Sequence, residues 1–126
     1  MSLILDAGAL LALERGDREV LAMLKSELAL GRVPRTHGGV VGQVWRGGTG
    51  KGARLAQVLP GLRILPLDEA LGRRAGLLLA RARTSDVVDA ALVLLAVDGD
   101  TILTSDPEDL AKLAAAADLH VDVVRV

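Results

Sequence analysis

The stretch Thr84–Ala96 (TSDVVDAALVLLA) limits what this chain can fold into more than any other. Asp86 and Asp89 are three residues apart, so on a helix they share one face and lie in its first turn. We predict Ser85 as the N-cap, and the helix dipole favours carboxylates in the first turn. No residue from 90 to 97 is polar, which predicts a helix body buried on all sides. The fold must therefore pack other elements around this helix.

Two carboxylates at the start of a buried helix place negative charge at the rim of the core. That placement costs free energy unless a cation lies beside the carboxylates. The alternative is that Asp86 or Asp89 only satisfies free N–H groups at the helix start. The helix by itself leaves both interpretations open.

Composition indicates one domain with an aliphatic core. The 126 residues are enough to bury about two thirds of the unfolded surface in a single domain, residues 1–126. Apolar residues make up 51% of the chain, yet Trp45 is the only aromatic residue. The core must therefore consist of Leu, Val, Ala and Ile. The chain has no cysteine, which excludes disulfides and thiolate metal ligands.

The N-terminal residues, the short apolar runs and the lack of cysteine favour a cytoplasmic protein outside the membrane. The first residues lack a basic segment, and Asp6 interrupts the apolar run, which argues against a signal peptide. The apolar runs are too short to span a bilayer.

Residues 1–83 contain 13 Lys and Arg against seven Asp and Glu, whereas residues 84–126 contain two against nine. This asymmetry predicts a basic rim around an acidic pocket, or two differently charged faces.

Apolar stretches of strand length alternate with stretches of helical periodicity along the chain. The predicted strands are Leu3–Leu5, Arg32–Pro34, Leu62–Pro66, Thr101–Thr104 and Val121–Val126. The predicted helices follow residue 6 and cover about 17–30, 38–46, 53–59, 68–80 and 85–97, with a last one from Ser105. We interpret Gly47–Gly52 as a flexible basic loop, because no Ser or Thr follows Lys51 as a phosphate-binding loop requires. This alternation predicts an α/β fold with three α/β/α layers and a mostly parallel central sheet.

Acidic residues follow two of the predicted strands. Asp6 ends the first strand, and Asp106 and Asp109 follow the strand Thr101–Thr104. Because the carboxyl ends of parallel strands lie at one edge of the sheet, we expect these acids to converge there. Asp86 and Asp89 join them if their helix starts at the same edge. Clustered carboxylates without neighbouring His or Cys favour Mg²⁺ or Mn²⁺ over Zn²⁺.

Structural roles remain alternatives for the same acids. Asp106, Pro107 and Asp109 fit the N-cap, N1 and N3 positions of a helix. Asp6 can equally cap the helix that follows it. His37 and His120 lack ligand-like spacing, and we expect both on the surface.

Three stretches carry a resemblance that covers essentially the whole chain. They are LILDAGALLAL (Leu3–Leu13), DAALVLLA (Asp89–Ala96) and ILTSDPEDL (Ile102–Leu110). In this order and spacing they resemble the PIN domain, and within it the VapC-type toxins of toxin–antitoxin pairs. The resemblance implies a single PIN-like domain that acts as a Mg²⁺- or Mn²⁺-dependent ribonuclease.

The resemblance also implies roles for particular residues. Asp6, Asp89 and Asp106 match the catalytic, metal-binding acids, and Asp86 and Asp109 support them. A glutamate that the family usually has on the helix after the second strand is replaced here by Gln43, which brings an oxygen but no charge. The alternative function is therefore a PIN-fold module that binds RNA or protein and cuts weakly or not at all.

The remaining expectations concern substrate and partners. We expect Ser105 or Thr104 to orient the metal shell or the phosphate. Basic residues of the first half are candidates for contacts with RNA phosphates: Arg15, Arg46, Lys51 and Arg54. The family resemblance implies a cognate antitoxin whose tail covers the acidic cleft. Helices with apolar stripes, such as 17–30, suggest a homodimer.

Overall fold

The computed structural model describes all 126 residues, and in it five strands alternate with seven helices. The strands are β1 (Leu3–Leu5), β2 (Arg35–His37), β3 (Arg63–Leu65), β4 (Thr101–Thr104) and β5 (Asp122–Arg125). The helices are α1 (Ala7–Glu14), α2 (Arg18–Ala29), α3 (Gly38–Val44), α4 (Ala53–Val58), α5 (Glu69–Ala82), α6 (Val87–Val93) and α7 (Pro107–Ala116). The predicted alternation of strands and helices is confirmed.

All five strands pair in parallel, in the order β3-β2-β1-β4-β5. The chain runs outward from β1 through β2 to β3, and then returns to place β4 on the other side of β1. Strand order therefore reverses between β1 and β4, where Leu5 is opposite Leu103. In open parallel sheets, ligands bind beyond the carboxyl ends of the strands at such a switch point.

The helices form two groups that flank the sheet, which gives the predicted α/β/α layers. In one group α1 contacts α2, α3 and α4, and in the other α5, α6 and α7 contact one another. The 28 buried residues of the hydrophobic core are all Leu, Ile, Val or Ala, and Trp45 is 38% exposed. The core is therefore aliphatic, as the composition requires. None of the helices combines the length and apolar character needed to cross a bilayer.

The second strand lies three residues later than predicted. It covers Arg35–His37, whereas the sequence pattern favoured Arg32–Pro34. Pro34 has no N–H to donate to a neighbouring strand, and its carbonyl instead accepts a hydrogen bond from the Arg63 N–H at 2.9 Å. The polar stretch Arg35–His37 lacks the apolar pattern of a buried strand, although Thr36 and His37 are fully buried.

Helix α6 is shorter than predicted, and its N-cap is Asp86 rather than Ser85. The Asp86 carboxylate accepts a hydrogen bond from the Asp89 N–H at 3.0 Å. Residues 90–93 are completely buried, as expected, but Val97 lies beyond the helix and is 59% exposed. The buried body of α6 fixes its start, and hence Asp86 and Asp89, firmly against the rest of the fold.

Candidate active site

The acidic site begins at the switch point between β1 and β4. The Asp6 N–H donates to the Leu103 carbonyl at 3.2 Å, which holds the end of β1 against the end of β4. Asp6 then starts α1, and Asp106 starts α7 two residues beyond the end of β4. Parallel pairing of two neighbouring strands thus directs both acids to one edge of the sheet.

Asp6 is buried and held by several hydrogen-bond donors. Its carboxylate is 5% exposed and accepts the Ala9 N–H at 2.9 Å. The Thr104 hydroxyl and the backbone N–H groups of Gly8 and Ser105 also favour its charged form and lower its pKa. Burial nevertheless raises the pKa of Asp6 above its ordinary value, because desolvation outweighs these hydrogen bonds. Asp6 caps α1 and also lies in the acidic cluster, so its two predicted roles coexist.

Thr104 connects the first acid to the next one. Its hydroxyl lowers the pKa of Asp6 and accepts a hydrogen bond from the Asp106 N–H at 2.8 Å. Asp106 is the N-cap residue of α7, with Pro107 at its start and Asp109 in its first turn as the capping alternative predicts, but the Asp106 carboxylate makes no capping hydrogen bond. The neighbouring Asp106 carboxylate raises the pKa of Asp109.

Asp89 lies at the centre of the acidic cluster. Burial raises its pKa to about 7, and the negative charges of Asp86, Asp6, Asp106 and Asp109 add to the effect in that order. Four carboxylates at the starts of α1, α6 and α7 therefore raise the pKa of Asp89. Around neutral pH this cluster holds either a proton or a cation.

The donor chemistry of this cluster fits a hard divalent cation. As the side chains stand, no three Asp, Glu or His residues converge on one point that would hold a metal ion. Mg²⁺ often binds through one or two carboxylates and keeps several water ligands. Asp6, Asp89 and Asp106 are the residues that would hold such an ion, with Asp86 and Asp109 supplying further charge.

Gln43 is exposed on α3 and lines a groove between α1, α3 and the loop that precedes α4. The groove also contains Glu14, Arg46 and Lys51, and none of the five clustered aspartates lines it. The structure therefore brings Gln43 together with two of the predicted phosphate contacts rather than with the acids.

The four predicted cations divide into two pairs. Arg46 and Lys51 line the groove, and Arg46 donates from Nη1 to the carbonyl oxygens of Trp45 at 2.6 Å and Gly42 at 3.2 Å. Arg54 donates to the Glu14 carbonyl at 3.0 Å, and Arg15 faces Asp17 at 4.0 Å. Arg46 and Lys51 are thus the two cations that the fold places in one groove.

His37, expected on the surface, is fully buried. Its Nδ1 accepts the Gly39 N–H at 3.1 Å, and its Nε2 contacts the Val88 carbonyl at 2.9 Å. Burial lowers its pKa, so the neutral ring donates from Nε2 to Val88. His37 thereby ties the start of α3 to the first turn of α6. The expectation was wrong because its partner carbonyl is 51 residues away in sequence.

Two further residues at this edge were not predicted. Arg125 ends β5 opposite Thr104, and its Nη1 donates to the Ser105 carbonyl at 3.2 Å. Gly8 lies so close to Ser105 that a Cβ atom would overlap the Ser105 hydroxyl. The position of Arg125 near the carboxyl end of the last predicted strand indicates that it lies at this edge of the sheet. Only the strand order shows that this strand is next to β4.

No protein-family model matches the chain, and no curated protein matches it.

Proposed function

We propose that this protein is a divalent-metal-dependent ribonuclease of the PIN type, acting in the cytoplasm as the VapC-like toxin of a toxin–antitoxin pair. The observation that supports it most strongly is the half-buried Asp89, whose pKa rises to about 7 among four other carboxylates at the sheet's switch point. A site with this much unbalanced negative charge needs a cation around neutral pH.

A bound Mg²⁺ or Mn²⁺ would supply an activated water and neutralise charge on the attacked phosphate. Asp6 is oriented by the Ala9 N–H, which leaves its other lone pairs free for a cation. In the metal-free protein the pKa of Asp89 is about 7, so a bound cation would displace its proton and Asp89 would hold the ion as a carboxylate. The Asp106 carboxylate makes no capping hydrogen bond and completes the set.

The substrate class follows from the charges around the cluster. Arg46 and Lys51 in the groove, and Arg125 beside Ser105, offer cations for a polyanionic backbone. Because Trp45 is the only aromatic residue, base stacking contributes little. Single-stranded or looped RNA, held by phosphate contacts, is the substrate that we propose.

The proposed partners are a cognate antitoxin and a second copy of the chain. An antitoxin with a basic tail would neutralise Asp89 and the four carboxylates that raise its pKa. Large apolar residues such as Leu11, Leu30 and Leu77 are exposed and are available for either association.

Cleavage of labelled RNA in Mn²⁺, with and without chelator, tests the nuclease. Asp89→Asn should abolish cleavage, whereas Asp122→Asn, an exposed acid at the opposite end of a strand, should not affect it. Cleavage that persists in chelator, or in the Asp89→Asn protein, would refute the metal-dependent mechanism.

A module that binds RNA or protein without cutting is the second candidate. The uncharged Gln43, in a groove that none of the five aspartates lines, favours it. RNA binding without cleavage in Mn²⁺ and Mg²⁺ would select this function over the first.

A further inference from the structure

The groove beside Gln43 is a formed cavity of about 360 Å³, within the range of about 300–1,000 Å³ that is usual for ligand pockets. Its wall includes the loop Gly47–Gly52, whose shape depends on glycine. Gly47 has a φ of +105°, and a Cβ on Gly52 would overlap the Gly47 carbonyl oxygen. Only glycine fits both positions without strain, so the loop has a specific conformation at the groove.

The polar side chains of the groove have few partners within the protein. The Glu14 carboxylate is half-buried and takes part in none of the side-chain hydrogen bonds or salt bridges. Arg46 is anchored through Nη1 alone, which leaves other guanidinium N–H groups free. Two cations and one carboxylate thus line one cavity without pairing. Its ligand should carry both an anion and hydrogen-bond donors.

The donors that match a carboxylate identify the ligand more closely. An ionised Glu accepts hydrogen bonds through two oxygens and donates none. Among the RNA bases, only guanine presents two adjacent donors, N1–H and the N2 amine, on its Watson–Crick edge. Adenine and cytosine place an acceptor beside their amine, and uracil places its N–H between two acceptors. Unpaired bases are read on this edge in single-stranded RNA.

The position of the groove suits a strand that also reaches the acids. Glu14 ends α1 and Asp6 caps its start, so eight residues separate them along the helix, or about 12 Å. We propose that the groove binds a guanosine nucleotide, with Glu14 on the base and Arg46 and Lys51 on the phosphate. If the proposed ribonuclease function holds, this subsite selects guanosine near the cleaved bond.

Titration with mononucleotides in the presence of chelator tests the subsite separately from any cleavage. The probes are 5′-GMP, 5′-IMP and 5′-AMP, followed by NMR on the full chain. IMP lacks the N2 amine, so it should bind roughly tenfold more weakly than GMP, the effect of one hydrogen bond to a charged group. AMP should bind more weakly still.

Variants connect the preference to the groove. Glu14→Gln should remove the preference for GMP over IMP. Lys51→Ala should lower the affinity for all three nucleotides by a similar factor. Glu19→Gln, an equal charge change on the exposed start of α2, should alter nothing. Equal affinity for GMP and IMP, no GMP binding at millimolar concentration, or a preference that survives Glu14→Gln would overturn the proposal.

The two proposals fail in different ways. GMP preference without RNA cleavage would support the subsite and leave the binding module as the function. RNA cleavage in Mn²⁺ without GMP preference would support the nuclease and remove the subsite.

Discussion

Asp89→Asn should make the metal-free protein more stable at pH 8. The structure raises the pKa of Asp89 from 3.8 to about 7 through burial and four neighbouring carboxylates. A shift of about 3 units corresponds to about 4 kcal/mol. Because Asp89 is half-buried and partly screened by solvent, we expect about 1–2 kcal/mol of stabilisation in the variant. Asparagine has nearly the same shape and carries no charge.

The pH dependence follows from the direction of the shift. The folded state binds the Asp89 proton more tightly than the unfolded state does. The contribution of Asp89 to the free energy of unfolding is therefore fully present below pH 4. That contribution is lost as the pH rises through about 7. The difference between variant and wild type should therefore be small near pH 4 and largest near pH 8.

Urea unfolding in chelator at several pH values measures this difference. Asp122→Asn is the matched control, since Asp122 is exposed and outside the cluster. A difference between Asp89→Asn and wild type that does not vary with pH would refute the reasoning, as would destabilisation by the variant at pH 8.

Other predictions concern the scaffold, each measured by chemical denaturation. Arg35→Ala should cost about 2–3 kcal/mol, since it leaves Asp100, its partner at 2.6 Å, buried without a cation; an unchanged free energy of unfolding would contradict this. His37→Ala should cost about 2–4 kcal/mol by removing two buried hydrogen bonds. Because burial lowers the pKa of His37, the His37 ring stabilises the wild-type fold fully above pH 6.5 and less as the pH falls. Arg83→Gly should stabilise by about 0.5–1 kcal/mol, because Arg83 has a φ of +56°; a loss of stability would show that the Arg83 side chain makes a needed contact.

The sequence was sufficient for the fold class and for part of the acidic site. Alternation of strand and helix patterns predicted the parallel sheet, and the rule about strand ends predicted Asp6 and Asp106 at one edge. The sequence did not predict that β1 and β4 are neighbours, which is known only from the strand order. That order depends on packing among all the helices, and no local sequence pattern predicts it.

Other features depended on contacts distant in sequence or on competing local choices. Ser85 and Asp86 are both good N-cap residues, and only the packing of α6 selects Asp86. The burial of His37 depends on the distant Val88 carbonyl. The family resemblance placed Gln43 with the clustered aspartates, whereas the fold places it in a groove with Glu14. Side-chain neighbours across helices are not encoded in the spacing of residues along one helix.

Calorimetric titration of Mn²⁺ into the wild type and Asp89→Asn proteins tests the central claim, that Asp6, Asp89 and Asp106 together hold one divalent cation. We predict saturable binding to the wild type, with proton release near pH 7 because Asp89 is partly protonated there. The affinity should fall at least tenfold in Asp89→Asn and stay unchanged in Asp122→Asn. Equal Mn²⁺ affinity in the wild type and Asp89→Asn proteins would contradict the claim, as would no binding to either.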